Sequence, residues 1–239
     1  MIEVDSFSKY YEGVAAVSNL SFAVEPGEIL GLVGPNGAGK TTTLRSIAGI
    51  ILPTYGVISI GGVDLEDDPV STKKRLAFIP DEPHLFNHLT VTEHLSFIAR
   101  LYQVSDAEEL TPDLLKELEL DEKHDAFPDE LSRGMKQKLA IACGLLHKPD
   151  VLIFDEPLTG LDPGAIRRMK ETIKARASAG TAVILSSHLL HLVEELCTRI
   201  LVIHKGKKVA MGSITEIISN QPELEGRGLE DVFLALTSS

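Results

Sequence analysis

A glycine-rich segment near the start of the chain has the spacing of a phosphate-binding loop. Its residues are Gly34, Pro35, Asn36, Gly37, Ala38, Gly39, Lys40, Thr41 and Thr42. The first eight match the pattern of a glycine, four variable residues, and then glycine, lysine and serine or threonine. Glycines let backbone N–H groups turn towards phosphate oxygens, and a helix that begins there adds partial positive charge. We therefore expect residues 34–42 to bind phosphate, with Lys40 on the β- and γ-phosphates and the Thr41 hydroxyl on Mg²⁺.

Two carboxylates follow a continuous apolar segment later in the chain, at Asp155 and Glu156. Ligands of parallel α/β sheets bind at the carboxyl ends of the strands. We expect Asp155 to order Mg²⁺ and its waters, and Glu156 to orient and deprotonate an attacking water. The alternative is a strand that simply ends in solvated acids before Pro157. The phosphate loop in the same chain favours the catalytic interpretation.

The elements that must position these residues alternate between strands and helices. Apolar segments predict strands at residues 14–24, 28–33, 57–60, 76–79, 151–154, 182–185 and 199–203. Helical periodicity predicts helices at 39–49, from Thr92 onward, at 113–120, 139–146 and 189–196. A further helix is expected after Asp162, because Asp162 can cap its start and Pro163 suits its first turn. We expect one α/β domain over residues 1–239, with a core of 1–84 and 148–213, a helical insertion of 85–147 and a helical tail of 214–239.

Composition and charge bound the possible functions. The chain has 239 residues with 23 basic and 35 acidic side chains, so its net charge is 23 − 35 = −12. An acidic surface argues against broad contact with nucleic acid, which needs clustered lysine and arginine. Residues 1–5 lack the basic and apolar parts of a signal peptide, and glycines and a proline interrupt the longest uncharged segment, 46–63. Cys143 and Cys197 are far apart and predict neither a metal cluster nor a disulfide framework. We expect a cytoplasmic protein.

The segment Leu131-Ser132-Arg133-Gly134-Met135 lies about twenty residues before Asp155 and resembles LSGGQ, the signature of the ABC ATPase family. The resemblance covers essentially the whole chain, and the motifs come in the family's order. It implies a P-loop NTPase core with a mainly parallel sheet, an N-terminal antiparallel β part and an inserted helical subdomain. It also implies ATP and Mg²⁺ as ligands and ATP hydrolysis as the activity.

The resemblance assigns roles to further positions. Tyr11 corresponds to the aromatic residue that stacks on adenine, with Tyr10 as the competing candidate. Ser132 and Gly134 would contact the γ-phosphate of ATP held by an opposite subunit, although Ser132 is also suited to cap a helix. Asp162 falls on the loop that links the two sites. His188 falls on the switch histidine that contacts the γ-phosphate, so we group it with Asp155 and Glu156 as catalytic.

Two departures from the family pattern stand out. Asp81 occupies the position of a glutamine that serves the metal, with Glu82 as the neighbouring candidate. Glutamine both donates and accepts hydrogen bonds, whereas an ionised aspartate only accepts. In the signature, Arg133 and Met135 replace glycine and glutamine, but Ser132 and Gly134 are retained. We therefore predict an active ATPase whose metal-sensing loop is tuned differently, with Asp81 among the metal-binding and nucleotide-binding residues.

The resemblance also implies partners. The bacterial branch that it points to keeps its ATPase and its polytopic membrane permease in separate chains and more often exports. We expect two ATPase subunits, identical or closely related, to close around two Mg-ATP at the inner face of the cell membrane, with no nucleic acid bound. Phe86 and Leu89 are either a dock for a permease helix or internal to the helical lobe. The competing functions are an ABC ATPase of translation, repair or cofactor assembly, and a P-loop kinase.

Overall fold

A computed structural model describes residues 1–158, 160–220 and 228–237. The strands are β1 (Ile2–Tyr11), β2 (Val14–Val24), β3 (Ile29–Val33), β4 (Tyr55–Ile60), β5 (Val63–Asp64), β6 (Leu76–Ile79), β7 (Val151–Asp155), β8 (Ala182–Ser186), β9 (Arg199–His204) and β10 (Lys207–Gly212). The α-helices are α1 (Lys40–Ile47), α2 (Pro69–Lys74), α3 (Val91–Tyr102), α4 (Ala107–Glu117), α5 (Arg133–Leu145), α6 (Pro163–Ser178), α7 (Leu190–Leu196), α8 (Ile214–Ser219) and α9 (Leu229–Thr237).

The strands form two sheets. A six-stranded sheet has the order β10-β9-β3-β8-β7-β6, and its strands pair in parallel except for the β10–β9 hairpin. A four-stranded antiparallel sheet has the order β2-β1-β4-β5. This arrangement confirms the predicted α/β fold, with its mainly parallel core and its antiparallel N-terminal part.

The central strands are buried on both faces. Every residue of β3, β7 and β8 is buried, as their continuous apolar sequences predict. One face packs with α1 against the antiparallel sheet, where Phe7, Leu44 and Ile58 are fully buried or nearly so. The other face packs against helices of the inserted segment and against α6 and α7. β3 and β7 both pair in parallel with β8, so their carboxyl ends lie at the same edge of the sheet, one on each side of β8.

Three α-helices, α3 to α5, lie in the segment predicted to be helical. In α3 the Thr90 side chain accepts from the Glu93 N–H while the Glu93 carboxylate accepts from the Thr90 N–H. The prediction of a helix at 113–120 was wrong in its bounds, since α4 spans Ala107–Glu117 and includes Pro112. The helix ends earlier than predicted because Glu119 adopts a φ of +55° and the Leu120 N–H closes back onto the Leu115 carbonyl.

The tail is helical where it is described. α8 and α9 agree with the predicted pattern, and Leu229 and Val232 of α9 are buried against the core. Residues 221–227 of the predicted tail lie outside the described residues. Among the residues that the structure describes, no helix combines the length and the apolar character that crossing a bilayer requires.

Candidate functional site

The loop between β3 and α1 depends on glycine at two places. A side chain at Gly34 would bring its Cβ to 2.3 Å from the Ile203 carbonyl oxygen. Gly39 has a φ of +104°, and its Cβ would lie 2.7 Å from the Ala16 carbonyl oxygen. Both contacts are shorter than heavy atoms tolerate, so β9 and β2 hold the loop in one conformation that only glycine permits. Ala38, also in this loop, is buried.

Lys40 begins α1 and lies inside the curve of the loop. Its Nζ donates to the Gly34 carbonyl oxygen at 2.6 Å and to that of Pro35 at 3.3 Å. Burial lowers the pKa of the Lys40 ammonium, and the carboxylates of Glu156 and Asp155 act in the opposite direction. The amine of Lys40 therefore lies where the carboxylates of Glu156 and Asp155 favour its charged form.

A cavity of about 280 Å³ lies over the loop. It is lined by Ala16, Asn36, Gly37, Gly39, Lys40, Thr41, Thr42, Asp155 and Glu156. The structure thus brings together most of the predicted phosphate-binding residues and the two predicted acidic residues. The cavity lining combines an ammonium, two hydroxyls and loop backbone with two carboxylates. This combination suits a phosphate group accompanied by a divalent metal.

Asp155 is the last residue of β7 and is buried. Ser186, opposite it on β8, donates its hydroxyl to Asp155 Oδ1 at 2.7 Å. That bond fixes the carboxylate and leaves Oδ2 for another ligand. Ser186 is a site residue that the sequence patterns did not predict. The available signal was its place at the end of the strand predicted at 182–185, which the register sets beside Asp155.

Glu156 follows with a φ of +53°, a conformation that non-glycine residues seldom adopt. Its N–H donates to the Ser186 carbonyl oxygen at 3.2 Å, and the Ser186 hydroxyl oxygen is 3.3 Å away. Its Oε2 lies 2.8 Å from His188 Nδ1 and accepts from the His188 N–H at 3.2 Å. Glu156 is 19% exposed whereas His188 is 61% exposed, so the imidazole lies on the solvent side of the carboxylate.

Asp81 follows β6 and lies in a second, larger groove of about 750 Å³. Thr41 and Asp155 line both this groove and the smaller cavity. The hydroxyl of Thr41 and the carboxylates of Asp155 and Asp81 are the oxygen ligands that Mg²⁺ prefers, and Mg²⁺ takes only one or two carboxylates when it also binds substrate phosphates. These residues therefore fit a magnesium ion at the junction of the two cavities.

The two candidate tyrosines differ in their surroundings. Tyr10 packs edge-on against Tyr55, with ring centroids 6.1 Å apart. Tyr11 ends β1 opposite Val14, close in the chain to Ala16 of the phosphate cavity. Lys9 Nζ lies 5.4 Å from the Tyr11 ring centroid, and Tyr11 is 44% exposed whereas Tyr10 is 38% exposed. Tyr11 is therefore slightly the more exposed of the two residues.

The signature residues lie away from the phosphate cavity of their own subunit. Ser132 caps α5, since its hydroxyl oxygen accepts from the Met135 N–H at 3.2 Å. Gly134 faces Leu161 and Gly160, and Asp162 caps α6 by accepting from the Ala165 N–H at 3.0 Å. Ser132 and Asp162 are exposed. This surface joins the signature to the loop before α6, and Ser132, Gly134 and Asp162 are not among the residues that line the phosphate cavity.

The larger groove has an apolar wall on the helical segment. Phe86, Phe97 and Ile98 line it together with Leu85, His94, Cys143 and the loop that carries Asp81. Phe86 is 54% exposed, and its ring centroid is 5.1 Å from that of Phe97. Leu89 is half-buried and does not line the groove. Cys143 is half-buried in the wall of this groove, and burial raises the pKa of its thiol to about 12.

Comparisons with known proteins agree with this architecture. A family model described as ABC transporter matches residues 17–159. The chain is 36% identical over 239 residues to the ABC-type transporter ATP-binding protein EcsA of Bacillus subtilis (strain 168), covering 99% of this chain and 96% of that protein. It is 40% identical over 222 residues to Nod factor export ATP-binding protein I of Paraburkholderia xenovorans (strain LB400), covering 92% of this chain and 73% of that protein.

A solved structure of an ATP-binding subunit of an ABC transporter matches with a TM-score of 0.94 and 37% identity over 99% of both chains. The family match covers more than half of this chain and includes the phosphate loop, the signature and Asp155. The chain therefore belongs to the ABC transporter family, in which it is an ATP-binding subunit with ATPase activity.

Proposed function

We propose that this subunit closes with a second ATPase subunit around two Mg-ATP and drives export through a separate membrane permease. The separation of the signature from the phosphate cavity is the observation that carries the proposal. Ser132 and Gly134 lie outside the cavity that Lys40 and Glu156 line. Their polar groups therefore contact ATP only when that ATP is bound in the cavity of another subunit. Residues 1–84 and 148–213 act as the core, 85–147 as a lobe and 214–239 as a tail.

Within one subunit, each residue of the cavity has a chemical role. Lys40 and the N–H groups of the loop bind the β- and γ-phosphates. Thr41, Asp155 and Asp81 hold Mg²⁺, which neutralises phosphate charge. Glu156 orients the attacking water and accepts its proton, since its carboxylate is partly shielded from solvent. His188, already paired with Glu156, donates to the γ-phosphate.

The remaining nucleotide contacts come from the surface and from the partner. Tyr11 stacks on adenine with its exposed ring. Ser132 and Gly134 contact the γ-phosphate bound to the opposite subunit through a hydroxyl and the N-terminus of α5. Asp162, which caps α6 beside the signature, links the two sites. Hydrolysis removes the γ-phosphate that both subunits contact and so favours opening.

The larger groove is the proposed dock for a cytoplasmic helix of the permease. Its wall combines the exposed Phe86 ring with other apolar side chains, while Asp81 and Glu82 lie at its other side. An amphipathic helix fits such a groove through its apolar face. Docking places the subunit at the inner face of the cell membrane. Export is supported by the name of the Nod factor export relative, which is an ATP-binding chain.

The test uses a polytopic membrane permease that is first identified by co-purification with this chain and is then reconstituted in lipid vesicles. Phe86→Asp should remove the subunit from the vesicles and abolish stimulation of its ATPase by the permease, with basal turnover retained. Val70→Asp is the matched control, because Val70 is also an exposed apolar residue, 65% exposed against 54% for Phe86, and lies on α2 outside the groove. Equal binding of both variants would contradict the proposed dock.

A further inference from the structure

Two of the three positions at which the motifs depart from the family pattern, Asp81 and Arg133, are in contact. Arg133 Nη2 donates to Asp81 Oδ1 at 3.3 Å. Arg133 is the first residue of α5, and Asp81 follows β6, so the pair joins the signature segment to the loop beside the magnesium ligands. The two side chains are 57% and 43% exposed. Asp81 and Arg133 therefore form one ion pair between the loop after β6 and the start of α5.

Arg133 is also guided by a third segment. A Cβ placed on Gly160 would lie 3.2 Å from Arg133 Cδ and 3.3 Å from its Nε. Glycine at this position leaves room for the arginine stem to run across the loop before α6 towards Asp81. A larger residue at position 160 would crowd the Arg133 side chain, so the path of the arginine towards Asp81 depends on this glycine.

Asp81 has a second possible cationic partner. It lines the same groove as Thr41 and Asp155, which also line the phosphate cavity. A carboxylate that accepts from a guanidinium offers fewer lone pairs to the water shell of Mg²⁺, and the arginine charge repels a nearby divalent cation. Arg133 and Mg²⁺ should therefore compete for the Asp81 carboxylate.

We propose that Arg133 is a positioning residue that withholds Asp81 from Mg²⁺ until nucleotide binds, so that metal binding releases the signature segment from the loop after β6. The inference deepens the proposed function and rests on Asp81 being part of the magnesium site. Because the pair is exposed, its coupling should be modest. Typical exposed pairs correspond to a change of about two- to fivefold in an equilibrium constant.

The experiment measures how much Mg²⁺ tightens ATP binding, as the ratio of the ATP dissociation constant in EDTA to that in excess Mg²⁺. It uses the full chain with Glu156→Gln to prevent turnover. Arg133→Gln should raise this ratio about two- to fivefold, because the competing cation is gone. Arg133→Lys keeps the cation and should leave the ratio within twofold of the parent. Asp81→Asn should lower the ratio, and adding Arg133→Gln to it should then change nothing.

The outcomes separate this inference from the proposed metal site. Dissociation constants in EDTA that match the parent would show that each variant folds and binds ATP. If Asp81→Asn lowers the ratio but Arg133→Gln leaves it unchanged or lowers it, the competition is refuted while Asp81 remains a metal-site residue. The same increase from Arg133→Gln with and without Asp81 would also refute it. If Asp81→Asn has no effect, Asp81 does not serve the metal, and both the assignment and the inference fail.

Discussion

Glu156 places the proposed general base in a left-handed backbone conformation with a φ of +53°. Such a conformation costs a non-glycine residue roughly 1–2 kcal/mol. The contacts that oppose this cost come from its N–H to Ser186 and from its carboxylate to His188. A strained backbone conformation persists only where the surrounding contacts hold it in place. The conformation of Glu156, and with it the position of its carboxylate, therefore depends on Ser186 of β8.

Ser186→Ala tests that dependence at the level of one hydroxyl. The change removes the donor to the buried Asp155 carboxylate, and a hydrogen bond to a charged group contributes about 1.5–3 kcal/mol. We expect the free energy of unfolding in urea to fall by about 2 kcal/mol and Mg²⁺-dependent ATP turnover to fall with it.

Ser187→Ala is the control, because Ser187 is also buried but its hydroxyl accepts from the nearby Leu189 N–H and not from a charged group among the described residues. Its loss should be about 1 kcal/mol or less. Equal losses of stability and turnover in the two variants would contradict the special role of Ser186.

At the scale of elements, sequence patterns predicted the strands that carry the candidate site better than they predicted the helices of the lobe. The strands that precede the phosphate loop and Asp155 are continuous apolar segments between clear turn signals, so their positions could be read directly. The end of α4 lacks a glycine, and Pro112 lies inside the helix, so local signals were misleading there. The Asp81–Arg133 pair joins residues 52 apart in the chain, and no local pattern predicts which distant charges meet.

The capping box at the start of α3 gives a test at this scale. Thr90→Ala removes the acceptor for the Glu93 N–H and should lower the free energy of unfolding by about 1 kcal/mol. The dissociation constant for ATP should stay the same, because α3 supports the groove wall and not the phosphate cavity. Unfolding in urea and titration with a fluorescent ATP analogue measure the two quantities.

Thr215→Ala provides the comparison, since Thr215 is an exposed residue in the first turn of α8. Surface changes of this kind usually alter stability by no more than about 0.5 kcal/mol. A cost at Thr90 no larger than that at Thr215 would mean that the capping box does not stabilise α3.

At the scale of the whole molecule, the two sheets and the lobe present the polar groups for ATP on two separate surfaces. One surface holds the loop of Lys40 with Asp155 and Glu156, and the other holds Ser132 and Gly134 at the start of α5. Ser132 and Gly134 do not line the cavity of Lys40, so we expect one nucleotide to contact both surfaces only when two subunits face each other. We therefore propose that ATP joins two subunits.

The most direct test is the molar mass of the Glu156→Gln subunit, measured by light scattering after gel filtration with and without Mg-ATP. We expect a monomer without nucleotide and a dimer with it. Adding Gly134→Asp should keep the subunit monomeric while ATP still binds, because the new carboxylate would face the partner's phosphates and Gly134 has room for a Cβ. A monomer at saturating Mg-ATP, or a dimer that forms equally well with Gly134→Asp, would contradict the account.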